Sequence, residues 1–547
     1  MASRRQLAYV ALSFALVGLG MATGLGTAAQ ADSSVSATVH ANTSLGTLPA
    51  TAFGINAAVW DGHLLDANLP GLLQQAGVKV VRYPGGSTAD VYHWQTNSTE
   101  PGQSFANPNN TFDAFMGVVQ QTGAQAMITV NYGSGTPQEA AGWVQYANKG
   151  GPGYTGPVPT YPGASSTGHT YGITYWEIGN EVYGNGTYTA PFEYDLHPDK
   201  GPAAYGAHAQ QFIEAMKAVD PSIKVGVVLT APGNWPDEDA MGNAGTPQAW
   251  NDNVLAATCG ALDFADVHWF PQDPGKESDA TLLQTPEQGI AGRTDSISQM
   301  VARLRQEISQ YCPSRHSQIQ IMITESNAVS YNPGKQSVSV VNALYLDDDY
   351  MTWLEQGVAT VAWWDTHNGP MLGTNDSPAL YGTAPYGDFG VLATGDPPEP
   401  PAETPFPPYY GLQMLTKLGV AGDQMVAATS SSSLVAVHAV KQANGNLAVL
   451  LINKDPATFE PVTLSLCNFT PALNPMVFAY GPGSTGISDP YRPGSMGSSA
   501  VPQPDLAGAH VQRPRRGAQT NGSPSLLVIV PPYTVVTIVM TPAPDPD

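Results

Sequence analysis

Two glutamates stand at the ends of apolar runs otherwise built for burial. One run reads Tyr175-Trp176-Glu177-Ile178-Gly179-Asn180-Glu181, the other Ile321-Met322-Ile323-Thr324-Glu325-Ser326. Breaking a glycosidic bond takes one carboxylic acid to protonate the departing oxygen. It takes a second carboxylate to attack the anomeric carbon or to activate water. Glu181 and Glu325, delivered to one cleft from two strand ends, meet that requirement. One such glutamate is more often structural. Two, one behind Gly-Asn and one behind Ile-Met-Ile-Thr, favour chemistry. Asn180 is placed to hold a sugar hydroxyl.

Such residues need elements that aim them. Eight continuous apolar runs, at 52–55, 78–83, 126–131, 173–179, 224–229, 264–268, 319–324 and 358–364, read as strands covered on both faces. Helix-like stretches lie between them, most clearly 112–122, 137–148, 203–219, 296–311 and 338–356. Asn110-Thr111 and Thr136-Pro137 are N-terminal capping signals for the first two. Eight strand–helix units predict an α/β fold, a (β/α)8 TIM barrel over 51–419, with 409–418 as its closing helix. A doubly wound sheet is the rival, disfavoured because no phosphate-binding glycine turn follows the first strand. After residue 419 the runs 435–440, 447–451, 462–466, 526–530 and 535–540 alternate or are rich in β-branched residues. They predict a C-terminal β-sandwich over 420–547, with a mobile Gly/Pro/Ser-rich loop at 481–523. The segment 32–50 contributes a strand to that sandwich.

The 547 residues exceed one compact core, and 42% hydrophobic content supports a large one. A net charge of −23 disfavours nucleic acid and anionic lipid, and is compatible with neutral polysaccharide. Arg4 and Arg5, an apolar stretch and Ala29-Gln30-Ala31 read as an export signal over 1–31. The mature chain is therefore expected to be secreted, with no membrane segment after cleavage. Of three cysteines, Cys259 and Cys312 could pair in an oxidising compartment. No cysteine or histidine cluster points to a metal, and no motif points to a cofactor.

These residues carry a resemblance. The chain looks like a clan A glycoside hydrolase, closest to family 51, the α-L-arabinofuranosidases. Trp176-Glu177-Ile178-Gly179-Asn180-Glu181 resembles the acid/base motif, and Thr324-Glu325-Ser326-Asn327 the nucleophile strand. Val81-Arg82-Tyr83-Pro84-Gly85-Gly86, with Tyr92-His93-Trp94, resembles the second-strand signature. Thr129-Val130-Asn131-Tyr132-Gly133-Ser134-Gly135-Thr136-Pro137 resembles the third strand and its helix, and Pro531-Pro532-Tyr533-Thr534-Val535 the end of the sandwich. The resemblance implies retention of configuration, with Glu325 as nucleophile and Glu181 as acid/base. It implies that Glu181 is protonated at rest, its pKa raised by ionised Glu325. Family members are often hexamers, so an oligomer stays possible here.

Three positions depart from the family. Ala58 stands where a glutamate is usual after Phe-Gly, Ser87 where Pro-Gly-Gly is followed by asparagine, and His268-Trp269-Phe270 where His-x-Tyr is usual. Each loses a polar group that would meet a sugar, which leaves the reaction class firmer than the sugar. Arg82 has two roles open to it: to bind the nucleophile or to pair with Glu177. His268 either positions Glu325 or is a core histidine. Trp60, Trp94, Trp176, Trp269 and Trp364 are stacking subsites or core aromatics. Asp90 and Asp365 are reserve carboxylates. The expected partner is an oligosaccharide or polysaccharide with plant-type arabinose side chains. Alternatives are a clan A enzyme for a xyloside, galactan or glucuronide, and a carbohydrate-binding barrel without turnover.

Overall fold

The computed structural model describes residues 34–188, 190–233, 249–291, 294–488, 511–512 and 524–544. The expected export signal lies outside them, as does most of the stretch 481–523. The first strand, β1 (Val35–Thr47), belongs to the C-terminal sheet, and the barrel begins after it. The barrel strands are β2 (Phe53–Asn56), β3 (Val80–Tyr83), β4 (Gln125–Val130), β5 (Tyr175–Ile178), β6 (Lys224–Leu229), β7 (Phe264–Trp269), β8 (Gln320–Ser326) and β9 (Thr360–Trp363). Each lies parallel to the next, and β9 closes the ring on β2. All eight apolar runs are barrel strands. They read as unbroken hydrophobic segments because one face lines the barrel and the other meets a helix.

A helix follows each strand: α1 (Leu69–Gln75), α2 (Phe112–Thr122), α3 (Pro137–Asn148), α4 (Pro202–Val219), α5 (Trp250–Thr258), α6 (Ile297–Tyr311), α7 (Val340–Glu355) and α8 (Pro407–Leu418). The capping signals act as expected. Thr111 Oγ1 accepts the Ala114 N–H and Thr136 Oγ1 the Glu139 N–H, and Ser296 with Gln299 forms a capping box on α6. Each cap contributes about 1 kcal/mol. Cys259 and Cys312 are bonded, Cα–Cα 5.3 Å, and tie the end of α5 to the end of α6.

The barrel interior is not wholly apolar. Arg82 of β3, Thr129 of β4 and Glu177 of β5 share one layer, with the Arg82 Nε–Glu177 distance 2.6 Å and the Thr129 hydroxyl 2.7 Å from the same carboxyl. Asp266 of β7 accepts from Thr324 of β8 beside them. Charge buried this deep persists only if paired.

The second sheet contains β1 and β10 (Gln424–Ser430), β11 (Val435–Lys441), β12 (Leu447–Asn453), β13 (Glu460–Cys467), β14 (Met476–Tyr480), β15 (Val511–Gln512), β16 (Ser525–Val530) and β17 (Thr534–Met540), in the order β14-β17-β12-β11-β10-β1-β13-β16-β15. It folds over an apolar core drawn from both ends of that order, including Val39, Val449, Leu464, Val528 and Ile538. β1 lies antiparallel to β10 and parallel to β13, so the expected early strand sits in mid-sheet. Strands β10, β14 and β15 were not evident in the sequence. Among the described residues no helix is long and apolar enough to cross a membrane.

Helix α7 lies between the two sheets and is buried along its length, including Asp347, Asp348 and Asp349. Asp349 accepts from Ser326 at the end of β8, 2.8 Å. Asp348 faces the other way, to Lys454 at 2.6 Å and His438 at 3.0 Å, both from the C-terminal sheet. Lys454 also reaches Glu287 at 2.6 Å, and His438 reaches Glu355 at 3.0 Å. The sheet thus braces the barrel through buried ion pairs. Lys454→Met is expected to lower unfolding free energy by about 3–5 kcal/mol, because it leaves buried Asp348 short of a counter-charge. Adding Asp348→Leu should restore part of that loss. Urea midpoints of the two variants check it.

Candidate active site

The site is built at the C-terminal ends of β3, β5, β7 and β8. Arg82 is its hub and is fully buried. Its Nε donates to Glu177, one terminal nitrogen to Asn56 (3.0 Å) and Glu325 (2.7 Å), and the other to Asn180 (3.0 Å). Arg82 therefore contacts both of the carboxylates open to it in the sequence, Glu177 and Glu325. Its planar fork holds a structural carboxylate on one edge and the strand-end carboxylate on another.

Glu181 reaches the site by a special turn. Gly179 has φ +77°, and a Cβ there would lie 2.7 Å from the Val182 side chain and 2.8 Å from that of Tyr132. Glu181 itself has φ +39°, a conformation uncommon for a side-chain-bearing residue. The Asp90 carboxylate pins this turn, accepting the N–H groups of Asn180 (3.1 Å) and Tyr132 (3.3 Å). Asp90 is thus a positioning group of the loop.

The two glutamates meet through His268. Its Nδ1 is 2.9 Å from Glu181 and 3.5 Å from Glu325. One oxygen of each carboxylate and a His268 nitrogen all lie within 4.8 Å of one another. Tyr183 donates to Glu181 at 2.9 Å. Burial alone would depress the His268 pKa, but Glu325, Glu181 and Asp266 hold it up at about 9. Burial tends to raise the Glu181 pKa, yet the His268 and Tyr183 donors bring it below the ordinary carboxylate range. Burial raises that of Glu325 against the pull of His268 and Arg82. The expectation that Glu325 keeps Glu181 protonated at rest is therefore corrected. The two carboxylates beside it favour the protonated form of His268.

This trio is also the one His/Cys/Asp/Glu grouping among the described residues close enough to share a metal ion.

The other expected site residues divide. Ser87 lies on the loop after β3 and donates to Glu193 at 2.6 Å. Trp364 is half-buried at the end of β9 with its ring over Gly86, where a Cβ would stand 2.7 Å from it. Trp60 is half-buried on the loop after β2. Trp269 does not join the site. It is buried against Trp353 of α7, ring centroids 6.4 Å apart, because successive strand residues point to opposite faces and His268 takes the inner one. Trp94 and Trp176 are likewise core, packed on Trp143. Asp365 is buried with neither oxygen hydrogen-bonded, its pKa raised by burial and by Asp61. Sequence reasoning missed Asn56, Tyr183 and Glu193. Glu193 sits in an aperiodic loop, where the only signal was its nearness to the Gly-Asn-Glu motif.

No protein-family model matches the chain. The probable α-L-arabinofuranosidase C of Aspergillus fumigatus is 31% identical over 163 residues, 28% of this chain and 30% of that protein. The match thus spans less than a third of that relative's length. A family 51 α-L-arabinofuranosidase from Bifidobacterium longum superposes with TM-score 0.63 at 15% identity, over 92% of this chain and 99% of that one. A family 44 xyloglucanase from Paenibacillus polymyxa superposes with TM-score 0.56 at 15% identity, over 93% and 99%. The fold of such enzymes, a barrel with an added β-sheet domain, is the fold of this chain. The sequence relative carries the name of an arabinofuranosidase, and the structural likenesses show the fold.

Two outcomes are expected. Because His268 has a folded pKa near 9 against about 6.5 unfolded, its stabilising protonation is complete below pH 6.5 and lost as pH rises through about 9. The stability gap between wild type and His268→Gln should therefore shrink by about 1–3 kcal/mol across that window, read from denaturation at several pH values. Arg82→Lys, which cannot fork to four acceptors, should leave Glu177 or Glu325 unpaired and cost about 3–5 kcal/mol in the same assay.

Proposed function

We propose that this chain is a secreted retaining glycoside hydrolase of the α-L-arabinofuranosidase type, acting on side chains of plant-type polysaccharide. The observation that carries the reading is the approach of Glu181 and Glu325, with one oxygen of each within 4.8 Å. Retaining glycosidases hold their carboxyls about 5–5.5 Å apart and inverting ones about 6.5–9.5 Å, and this oxygen–oxygen approach is compatible with the shorter spacing. The name of the Aspergillus fumigatus relative supports the sugar, and the reading of 1–31 as an export signal supports secretion.

Glu325, held by Arg82, attacks the anomeric carbon as the bond to the leaving oxygen breaks. The proton that oxygen needs starts on His268 Nδ1, crosses 2.9 Å to Glu181 and passes to the aglycon. Glu181 then takes a proton from the incoming water, which displaces Glu325 with retention. A substrate that shuts out water favours the first transfer, since it penalises the charged carboxylate.

A second reading, a pyranoside as substrate, draws on Trp364, whose half-buried ring over Gly86 offers a flat platform for a pyranose face. A barrel that only binds carbohydrate has no use for two carboxylates at this spacing.

Aryl glycosides of arabinofuranose, xylose, galactose and glucuronic acid separate these readings. Release from the arabinofuranoside is expected, and Glu325→Gln should lower kcat by about 10⁴-fold or more. With an activated leaving group, azide should rescue Glu325→Ala to a glycosyl azide of inverted configuration and Glu181→Ala to one of retained configuration. Inverted sugar from the wild type would overturn the double displacement.

A further inference from the structure

The site holds a third carboxyl that the double displacement does not use. Glu193 is 6% exposed and lies on the loop that follows Glu181. That loop is pinned to the same turn. The N–H groups of Phe192 and Glu193 both donate to the Gly184 carbonyl, at 2.9 and 3.1 Å, and Leu196 N–H donates to Gly133 O at 2.9 Å. Gly133 has no room for a side chain, since a Cβ would fall 2.0 Å from the Tyr194 carbonyl. The Glu193 main chain is thereby fixed relative to Glu181.

Its side chain is aimed with equal care. One oxygen, Oε1, takes the Ser87 hydroxyl at 2.6 Å and faces the Asn180 amide at 3.4 Å. The other, Oε2, is buried with no protein partner. Burial, followed by the charges of Glu181, Asp90 and Glu325, raises its pKa well above the ordinary range, with Ser87 opposing. Burial thus favours the neutral form of Glu193, which can both donate and accept.

We propose that Glu193 is the specificity-determining carboxyl that binds a hydroxyl of the sugar held between Glu181 and Glu325, and that this sugar is neutral rather than a uronic acid. The inference rests on the glycosidase reading and deepens it. Ala58 and Ser87 stand where the resembling family has glutamate and asparagine. Here Ser87 grips a carboxyl that arrives from a different loop. Among the described residues that hydrogen-bond or ion-pair with Glu181, Glu325, Asn180 and Glu193 side chains, the cations are Arg82 and His268. Arg82 is engaged by Glu177, Asn56, Glu325 and Asn180, and His268 lies between the two glutamates. Among these described partners no cation is left for a substrate carboxylate, which would then be buried unpaired.

The test compares wild type, Glu193→Ala and Glu193→Gln on the four aryl glycosides and on monodeoxy analogues of whichever is cleaved. Glu193→Ala is expected to raise KM by about 10–100-fold and to lose the penalty that one deoxy analogue shows with wild type. Glu193→Gln, which keeps a donor and an acceptor in the same shape, should stay within about 10-fold of wild type and covers the case in which the alanine variant misfolds. The glucuronide should be the poorest substrate. An active wild type with Glu193→Ala unchanged in KM and in its deoxy-analogue profile overturns the assignment, as does preference for the glucuronide. A wild type that releases nothing from the whole panel overturns the glycosidase reading and this inference together.

Discussion

The Arg82 guanidinium is the constraint on which the site depends. A cation with no exposed surface, at the axis of a barrel, is tolerable only if its donors are met by acceptors. Glu177, Asn56, Glu325 and Asn180 meet them, drawn from β5, β2, β8 and the turn after β5. The same bonds that stabilise the cation fix where Glu325 points and where the Gly-Asn-Glu turn begins. Stability of the buried charge and placement of Glu325 are one arrangement, so neither can drift without the other.

Around that hub the site is acidic and short of protons. Glu181, Glu325, Glu193, Asp90 and Asp266 are all buried, wholly or in large part, around Arg82, Asn180 and His268. Repulsion among them is relieved in two ways. Arg82 and His268, whose protonated form the carboxylates favour, offset some, and burial favours the neutral form of others. The histidine also stands at hydrogen-bond distance from Glu181.

The second sheet bears on the same strand ends through α7. Ser326, next to Glu325, donates to Asp349, and the neighbouring Asp348 is held by Lys454 and His438 of the sheet. One helical turn of three consecutive aspartates thus joins the strand that carries Glu325 to the C-terminal domain. Buried ion pairs add little net stability but fix geometry, which suits a domain whose visible role is bracing.

The eight barrel strands, their caps and the two strand-end glutamates were legible in the sequence because each is a local pattern. A run of apolar residues, a threonine before a helix and a glutamate after a strand are all set by neighbours within a few positions. The partition between inward and outward side chains was not legible at the strand ends, where an adjacent pair such as His268 and Trp269 must split between site and core. Nor were contacts that join distant segments: Asn56 to Arg82, Ser87 to Glu193 over 106 positions, and Asp348 to Lys454. Glu193 lies in a loop with no periodicity, so only the folded path of that loop shows what it faces. Local chemistry determined which elements form, and closure of the barrel decided which side chains share a proton, because electrostatic coupling depends on distance in space and not on distance along the chain.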